Sequence, residues 1–362
     1  MKVHNTVFFL LILGLSYADS CLARTSKILL DKSLPPILPL VVIGSGPAGH
    51  TAAQYGIHLG VPTVLFTGPL PGGLLMQTDA IENYPGIPLT SGMALMDSMA
   101  EQTRKQGVII RDETVSQVDL TQWPFLVTLE MGEHYRTFSL IIATGATPKK
   151  LNVPGEDHYW GRGVSCCALC DAHFFKDKNV VVVGGGNSAI DEALILAPHA
   201  KSVTIFVRGD RMRAMPAMQK KLQGSPTVQP IEYNKQVTKI MGTDDEITHL
   251  EITNLITKQR VLRPADGLFL AIGHTPRTDL FEGQLRCSDS GHIIIDEKTQ
   301  ATSIAGVFAA GDVEDALYRQ AIVAAGAGCK AAINAVEWMR EQGITDQFIK
   351  QHICTEDGSL KK

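Results

Sequence analysis

The sequence has 362 residues, 44% of them hydrophobic and 19% charged, with a formal net charge of −4. This length suggests two domains of roughly 150 residues each, and the composition suits a globular protein with buried cores rather than a disordered or fibrous chain. The slight negative balance gives no electrostatic reason to expect nucleic acid as a partner.

Lys2 and His4 precede a short apolar run from Val7 to Leu15, and Ala18-Asp19-Ser20 follows it. The pattern reads as a secretory signal, too short to span a bilayer. The competing reading is a leader without function ahead of a soluble enzyme. Acylation of Cys21 is disfavoured because Asp19 suits a lipoprotein site poorly. The expected compartment is therefore the secretory route or an organelle lumen, with the cytoplasm as the alternative. Residues 1–36 are expected to form leader and linker, and no other segment has the pattern of a membrane span.

The folded part is expected to begin at Ile37. Leu38 to Ile43 is a β-branched apolar run, and Gly44-Ser45-Gly46-Pro47-Ala48-Gly49 follows it directly. A helical stretch to about Gly60 and a second apolar run, Val64 to Phe66, complete a strand–turn–helix–strand unit. The same order recurs about 140 residues later, an estimate consistent with two similar domains. There Val180 to Val183 leads into Gly184-Gly185-Gly186-Asn187-Ser188-Ala189, then a helix through Leu196, then Val203 to Val207. In such a turn the glycines permit a tight bend and close approach of a pyrophosphate, which meets the helix N-terminus. One glycine turn can be purely structural. Two, each between strand and helix, predict two dinucleotide sites.

Neither unit ends its second strand with the carboxylate that NAD units place on the ribose. The second instead continues Arg208-Gly209-Asp210-Arg211-Met212-Arg213, and guanidinium groups there suit a 2′-phosphate, hence NADPH. A solvated basic loop is the plainer alternative. Near the C-terminus, Gly306 to Asp312 reads as a strand ending in Gly311-Asp312, where Asp312 can accept hydrogen bonds from a polyol. Tyr318-Arg319-Gln320 then opens a helix at Ala321 whose N-terminus can face a reduced flavin ring.

Seven cysteines are unevenly spaced. Cys167-Ala168-Leu169-Cys170 can close a redox disulfide or bind a metal, but zinc would need a second ligand pair, and no metal site is expected. Asp171 either moves a proton during exchange or caps a helix.

Together these residues resemble the low-molecular-weight thioredoxin reductases, a class of pyridine nucleotide-disulfide oxidoreductases. The similarity runs from about Leu40 to Trp338. It rests on the two glycine turns, Glu82-Asn83-Tyr84-Pro85-Gly86, Ala143-Thr144-Gly145-Ala146, Cys167 to Asp171, and Gly306 to Ala321. The resemblance implies an α/β fold of two Rossmann-like three-layer dinucleotide-binding domains. An NADPH domain over 149–272 would be inserted in a discontinuous FAD domain over 37–148 and 273–342, with a C-terminal tail over 343–362. It implies FAD contacts from Gly44, Ser45, Gly46, Pro47, Ala48, Gly49, Gly68, Gly72, Gly73, Leu74, Leu75, Asn83, Thr144, Gly145, Gly311, Asp312, Arg319, Gln320 and Ala321. NADPH contacts would come from Gly184, Gly186, Asn187, Ser188, Ala189, Arg208 and Arg213. It further implies a homodimer of swivelling domains that passes a hydride from NADPH to FAD, then reduces the Cys167–Cys170 disulfide. Cys170 would lie on the flavin side, Cys167 would attack oxidised thioredoxin, and Asp171 would serve the proton.

Three residues depart from the family pattern. Gly209 stands where a second arginine is usual, Leu74 where glutamine is common, and Cys166 adds a thiol beside Cys167. A dithiol oxidase of the same fold, which usually lacks a working NADPH turn, and a non-catalytic flavin or nucleotide sensor are the alternatives.

Overall fold

The computed structural model describes residues 34–78, 80–222, 224–355 and 360, so the leader expected over 1–36 lies almost entirely outside the described residues. The chain starts with β1 (Ile37–Ile43), α1 (Pro47–His58) and β2 (Thr63–Phe66), followed by α2 (Gly92–Lys105), β3 (Ile109–Arg111), β4 (Val115–Asp119), β5 (Phe125–Leu129) and β6 (His134–Ile142). It continues through β7 (Ala146–Pro148), α3 (Glu156–Tyr159), β8 (Val164–Ser165), α4 (Ala168–Asp171), β9 (Asn179–Val183), α5 (Asn187–Leu196), β10 (Ser202–Val207), α6 (Pro216–Leu222) and β11 (Glu232–Tyr233). Then come β12 (Lys235–Gly242), β13 (Ile247–Asn254), β14 (Arg260–Pro264), β15 (Gly267–Leu270), β16 (His274–Pro276), β17 (Val307–Ala309), α7 (Ala321–Glu341) and α8 (Asp346–His352).

These elements form two compact units. One comprises the chain up to Met76, Met93–Ala146, and everything from Pro276 onward; the other comprises Gln77–Gly92 and Thr147–Thr275. The stretch Gln77–Gly92, which sequence reading kept with its chain neighbours, clusters with the second unit.

In the first unit one sheet runs β3-β2-β1-β6-β5-β4, and β17 also pairs with β6. Strand β1 lies parallel between β2 and β6. Strand β6 is long enough to serve two partners on its other edge. Its N-terminal half pairs antiparallel with β5, and its last residues pair parallel with β17. All seven residues of β1 are buried, the continuous apolar reading of a strand covered on both faces. One face is covered by α1, α7 and α8 through Ala52, Ala331, Ala335 and Phe348. The other is covered by residues of β4 and β5 with Phe281, Leu285 and Ile293. The segment 343–362, expected as a tail, carries α8, and Ile344, Phe348, Ile349 and Ile353 are all buried. Their spacing puts them on one helix face and its flanks, which is why residues 344–353 pack into the core of the first unit.

In the second unit a parallel sheet runs β11-β10-β9-β15-β8. Helix α5 covers one face through Ala189, Ile190, Ala193 and Leu196. The antiparallel meander β12-β13-β14 covers the other through Val237, Ile240, Leu250 and Ile252. Each unit is thus an α/β layered fold whose glycine turn leaves a central strand with parallel neighbours, in a mixed sheet in the first unit and an all-parallel one in the second.

Candidate active site

In the first unit the glycine turn leaves the carboxyl end of β1. A Cβ at Gly44 would lie 2.2 Å from Ala143 O, and one at Gly49 would lie 1.7 Å from Gly44 O. Glycine is therefore required at both positions by close backbone approach. At Gly46, by contrast, a Cβ would meet nothing within 4 Å, so this glycine borders open space. Helix α1 starts there with Gly46 as N-cap, Pro47 in its first turn and no side-chain cap. Its first N–H groups are left to whatever occupies that space.

The buried Ser45 hydroxyl gathers neighbouring loops: it donates to Thr67 O at 3.1 Å and accepts from Gly72 N–H at 3.0 Å. Gly68, Gly72, Gly73, Leu74 and Leu75 therefore follow β2 beside the β1 turn. Thr144 and Gly145 follow β6, where the Thr144 hydroxyl donates to Arg277 O at 2.6 Å. Gly311 and Asp312 follow β17, and a Cβ at Gly311 would come within 3.0 Å of Ala48 Cβ. The carboxylate of Asp315 accepts from the N–H groups of Leu317, Tyr318 and Arg319 at 2.7–2.8 Å. This turn carries Arg319 and Gln320 into α7, which also begins without a side-chain cap. Burial, reinforced by the charge of Asp315 and opposed by Arg319, pushes the Asp312 carboxyl up to about 6. Burial and the same neighbour push Glu314 up to about 7. Asn83 belongs to the Gln77–Gly92 stretch, which clusters with the second unit.

The second unit repeats the arrangement. A Cβ at Gly184 would lie 2.4 Å from Ala271 O, while one at Gly186 would meet nothing within 4 Å. Helix α5 starts at Asn187 with Gly186 as an N-cap that offers no side-chain hydrogen bond. Arg208 leaves β10 exposed. The loop then returns to the turn: Arg213 N–H and Ala214 N–H both donate to Gly185 O at 2.6 and 3.0 Å, and Met215 N–H donates to Asn187 Oδ1 at 2.9 Å. Arg213 is thereby fixed by its backbone beside Gly185, with its side chain exposed. Two open-sided glycine cradles, each ending at an uncapped helix, fit two dinucleotide phosphates.

Between β8 and β9 the chain forms the redox segment. Cys167 and Cys170 are joined in a disulfide with Cα atoms 5.3 Å apart. Cys167 is the N-cap of α4, and its Sγ accepts from Cys170 N–H at 3.2 Å. Ser165 is buried; its hydroxyl accepts from Cys167 N–H at 3.0 Å and donates to Asp171 Oδ2 at 2.5 Å. Asp171 stands at the start of the next short helix but makes no side-chain cap there, so the capping alternative for this residue does not hold. Cys166 remains outside the disulfide as a half-buried thiol. Nearby, His173 Nε2 lies 3.4 Å from Glu82 Oε2. Ser165 and Asp315 were not singled out from sequence, because a side chain that holds a turn leaves no spacing signal.

A family model described as pyridine nucleotide-disulphide oxidoreductase matches residues 38–328. The chain belongs to this family. Membership implies a flavin and a pyridine nucleotide as cofactors. Among curated relatives, a thioredoxin reductase of Rickettsia felis is 44% identical over 305 residues, covering 83% of this chain and 98% of that protein. A thioredoxin reductase of Dictyostelium discoideum is 43% identical over 317 residues, covering 85% of this chain and 99% of that one. Among solved structures, thioredoxin reductase from Giardia duodenalis superposes with a TM-score of 0.80 at 38% identity, covering 84% of this chain and 99% of that one. Among the described residues no helix is long and apolar enough to cross a membrane.

Proposed function

We propose that this chain is a thioredoxin-disulfide reductase that uses FAD and NADPH and acts as a homodimer. The observation that carries the reading is the Cys167–Cys170 disulfide, held beside Asp171 in the unit that also bears the second glycine turn. The flavin-binding residues would be those around Gly44–Gly49, Gly72, Thr144 and Asp312, joined by Arg319 to Ala321. The nucleotide-binding residues would be those at Gly184–Ala189 with Arg208 and Arg213. When bound, the flavin supplies a two-electron relay between the nicotinamide and the disulfide.

The protein's own residues carry the exchange. In the reduced pair, the Cys170 N–H that now points at Cys167 Sγ favours charge on that sulfur. Cys167 Sγ attacks one sulfur of the oxidised partner, forming a mixed disulfide and releasing the partner's first thiolate. Cys170 Sγ then attacks Cys167 Sγ, which expels the second thiolate and restores the Cys167–Cys170 bond. The two thiol protons end on the two partner sulfurs. Asp171, held by Ser165 in the same turn, is placed to move them. Leu169, between the two cysteines, and Phe174, a few residues beyond them, present exposed apolar side chains, which suits a protein partner better than a small soluble disulfide.

The test is NADPH oxidation by the purified protein with and without oxidised thioredoxin. Thioredoxin-dependent oxidation that disappears in Cys167→Ser is the expected result. Flavin reduction without any dependence on thioredoxin would redirect the assignment to another acceptor, such as oxygen for a dithiol oxidase.

A further inference from the structure

Neither the glycine turn nor the cysteine motif singles out Glu192. It sits in the second turn of α5, after the turn that begins at Asn187, and is half-buried. Its Oε2 accepts a hydrogen bond from the backbone N–H of Ala168, the residue that follows Cys167. Ala168 is fully buried, so its N–H has no recourse to solvent and needs an acceptor.

The peptide on the other side of Cys167 is held as well, since Cys167 N–H donates to Ser165 Oγ. Both peptide planes that flank the Cys167 Cα are therefore fixed by side chains, and the direction of its Cα–Cβ bond follows from them. The two holders differ in chemistry. Ser165 is neutral and engages Asp171, whereas Glu192 brings a carboxylate to the backbone adjoining the sulfur. An N–H given to a carboxylate is withheld from a sulfur anion, and a nearby negative charge disfavours thiolate. Glu192 also belongs to the helix whose first turn forms the nucleotide cradle, so one rigid element joins the cradle to the redox turn.

We propose that Glu192 is a positioning residue for thiol–disulfide exchange, fixing the Cys167–Ala168 peptide and through it the aim and acidity of the Cys167 sulfur. This rests on the reading of Cys167 as the attacking cysteine.

The experiment uses the full-length flavin-loaded enzyme with Glu192→Ala and Glu192→Gln. Two readouts are taken: the separate kcat and KM for thioredoxin, and the pH dependence of iodoacetamide alkylation of the NADPH-reduced pair. Glu192→Ala should lower kcat about tenfold, as expected for loss of one hydrogen bond to a charged group, with KM for thioredoxin unchanged. Glu192→Gln keeps an acceptor oxygen and drops the charge. It should recover most of kcat while its alkylation midpoint moves to lower pH. Wild-type kcat and an unmoved midpoint in Glu192→Ala would overturn the proposal. So would a Glu192→Gln enzyme as slow as Glu192→Ala with an unmoved midpoint. Should the alanine variant fail to fold, the midpoint in Glu192→Gln decides alone. If instead Cys167→Ser still reduces thioredoxin at the wild-type rate, it is the underlying assignment of Cys167 that fails.

Discussion

Gly209 stands two residues beyond β10, with Arg208, Arg211 and Arg213 exposed around it. Its backbone lies outside the left-handed region, and a Cβ there would meet nothing nearer than Arg211 O at 3.7 Å. Nothing in the fold thus requires glycine; under the proposed use of NADPH, what the position lacks is a cation for the 2′-phosphate. We expect Gly209→Arg to raise the ratio of kcat/KM for NADPH over NADH by about tenfold or more, since a charge-assisted hydrogen bond contributes about 1.5–3 kcal/mol. An unchanged ratio would show that Arg208 and Arg213 already saturate the site. Asp312 and Glu314 allow a second test. Burial is the main cause that pushes their folded-state pKa values up to about 6 and about 7. A carboxyl raised in this way contributes stability that is present at low pH and is lost as pH climbs through the folded value. The Tm of flavin-free protein should therefore carry a component that falls between about pH 4 and 7, the range spanned by the ordinary and raised values. Asp312→Asn with Glu314→Gln should flatten it, as calorimetry across that range would show.

At the scale of elements, α4 and the strand before it form one small device. Ser165 ends β8, Cys167 caps α4, and Asp171 closes it, with the Ser165 hydroxyl bridging the Cys167 N–H and the Asp171 carboxylate. Removing that hydroxyl takes one hydrogen bond from the Asp171 carboxylate and one acceptor from the half-buried Cys167 N–H. Ser165→Ala should slow thioredoxin reduction by about tenfold to a hundredfold, the span for one hydrogen bond to a charged group. The alkaline limb of the pH–rate profile should shift as well, whereas a purely structural loss would lower the profile without moving it. Legibility in the sequence follows the same division. The strand–glycine–helix units were readable because an apolar run, a glycine cluster and a helical stretch occur within one short window. The meander β12-β13-β14 was not, because its two-residue alternation is interrupted. Its register slips between Val237 and Lys239 and again between Met241 and Gly242, so the buried Val237, Ile240, Leu250 and Ile252 show no sustained period. The cysteines and Asp171 were readable by spacing. Ser165 and Glu192 were not, because each acts on backbone groups that sequence periodicity does not mark.

Across the whole molecule the same construction serves twice, once in each unit, and the two copies can be broken independently. In the first, Gly44 has φ +106° and would drive a Cβ to 2.2 Å from Ala143 O; in the second, Gly184 would drive one to 2.4 Å from Ala271 O. Each clash is with backbone of the neighbouring strand's exit, so neither can be relieved by a rotamer change. Overpacking of this kind costs about 1–3 kcal/mol, borne by one cradle while the other keeps its own sheet and helix. Gly184→Ala should purify with its full flavin absorbance yet resist bleaching by NADPH. It should still pass electrons to thioredoxin when the flavin is reduced photochemically. Gly44→Ala should purify with little flavin but retain NADPH binding, measured by fluorescence of the bound nucleotide. Loss of both ligands from either variant would mean that the units fold as one cooperative block. The reciprocal pattern would mean that each glycine turn serves its own dinucleotide, as the doubled sequence motif predicts.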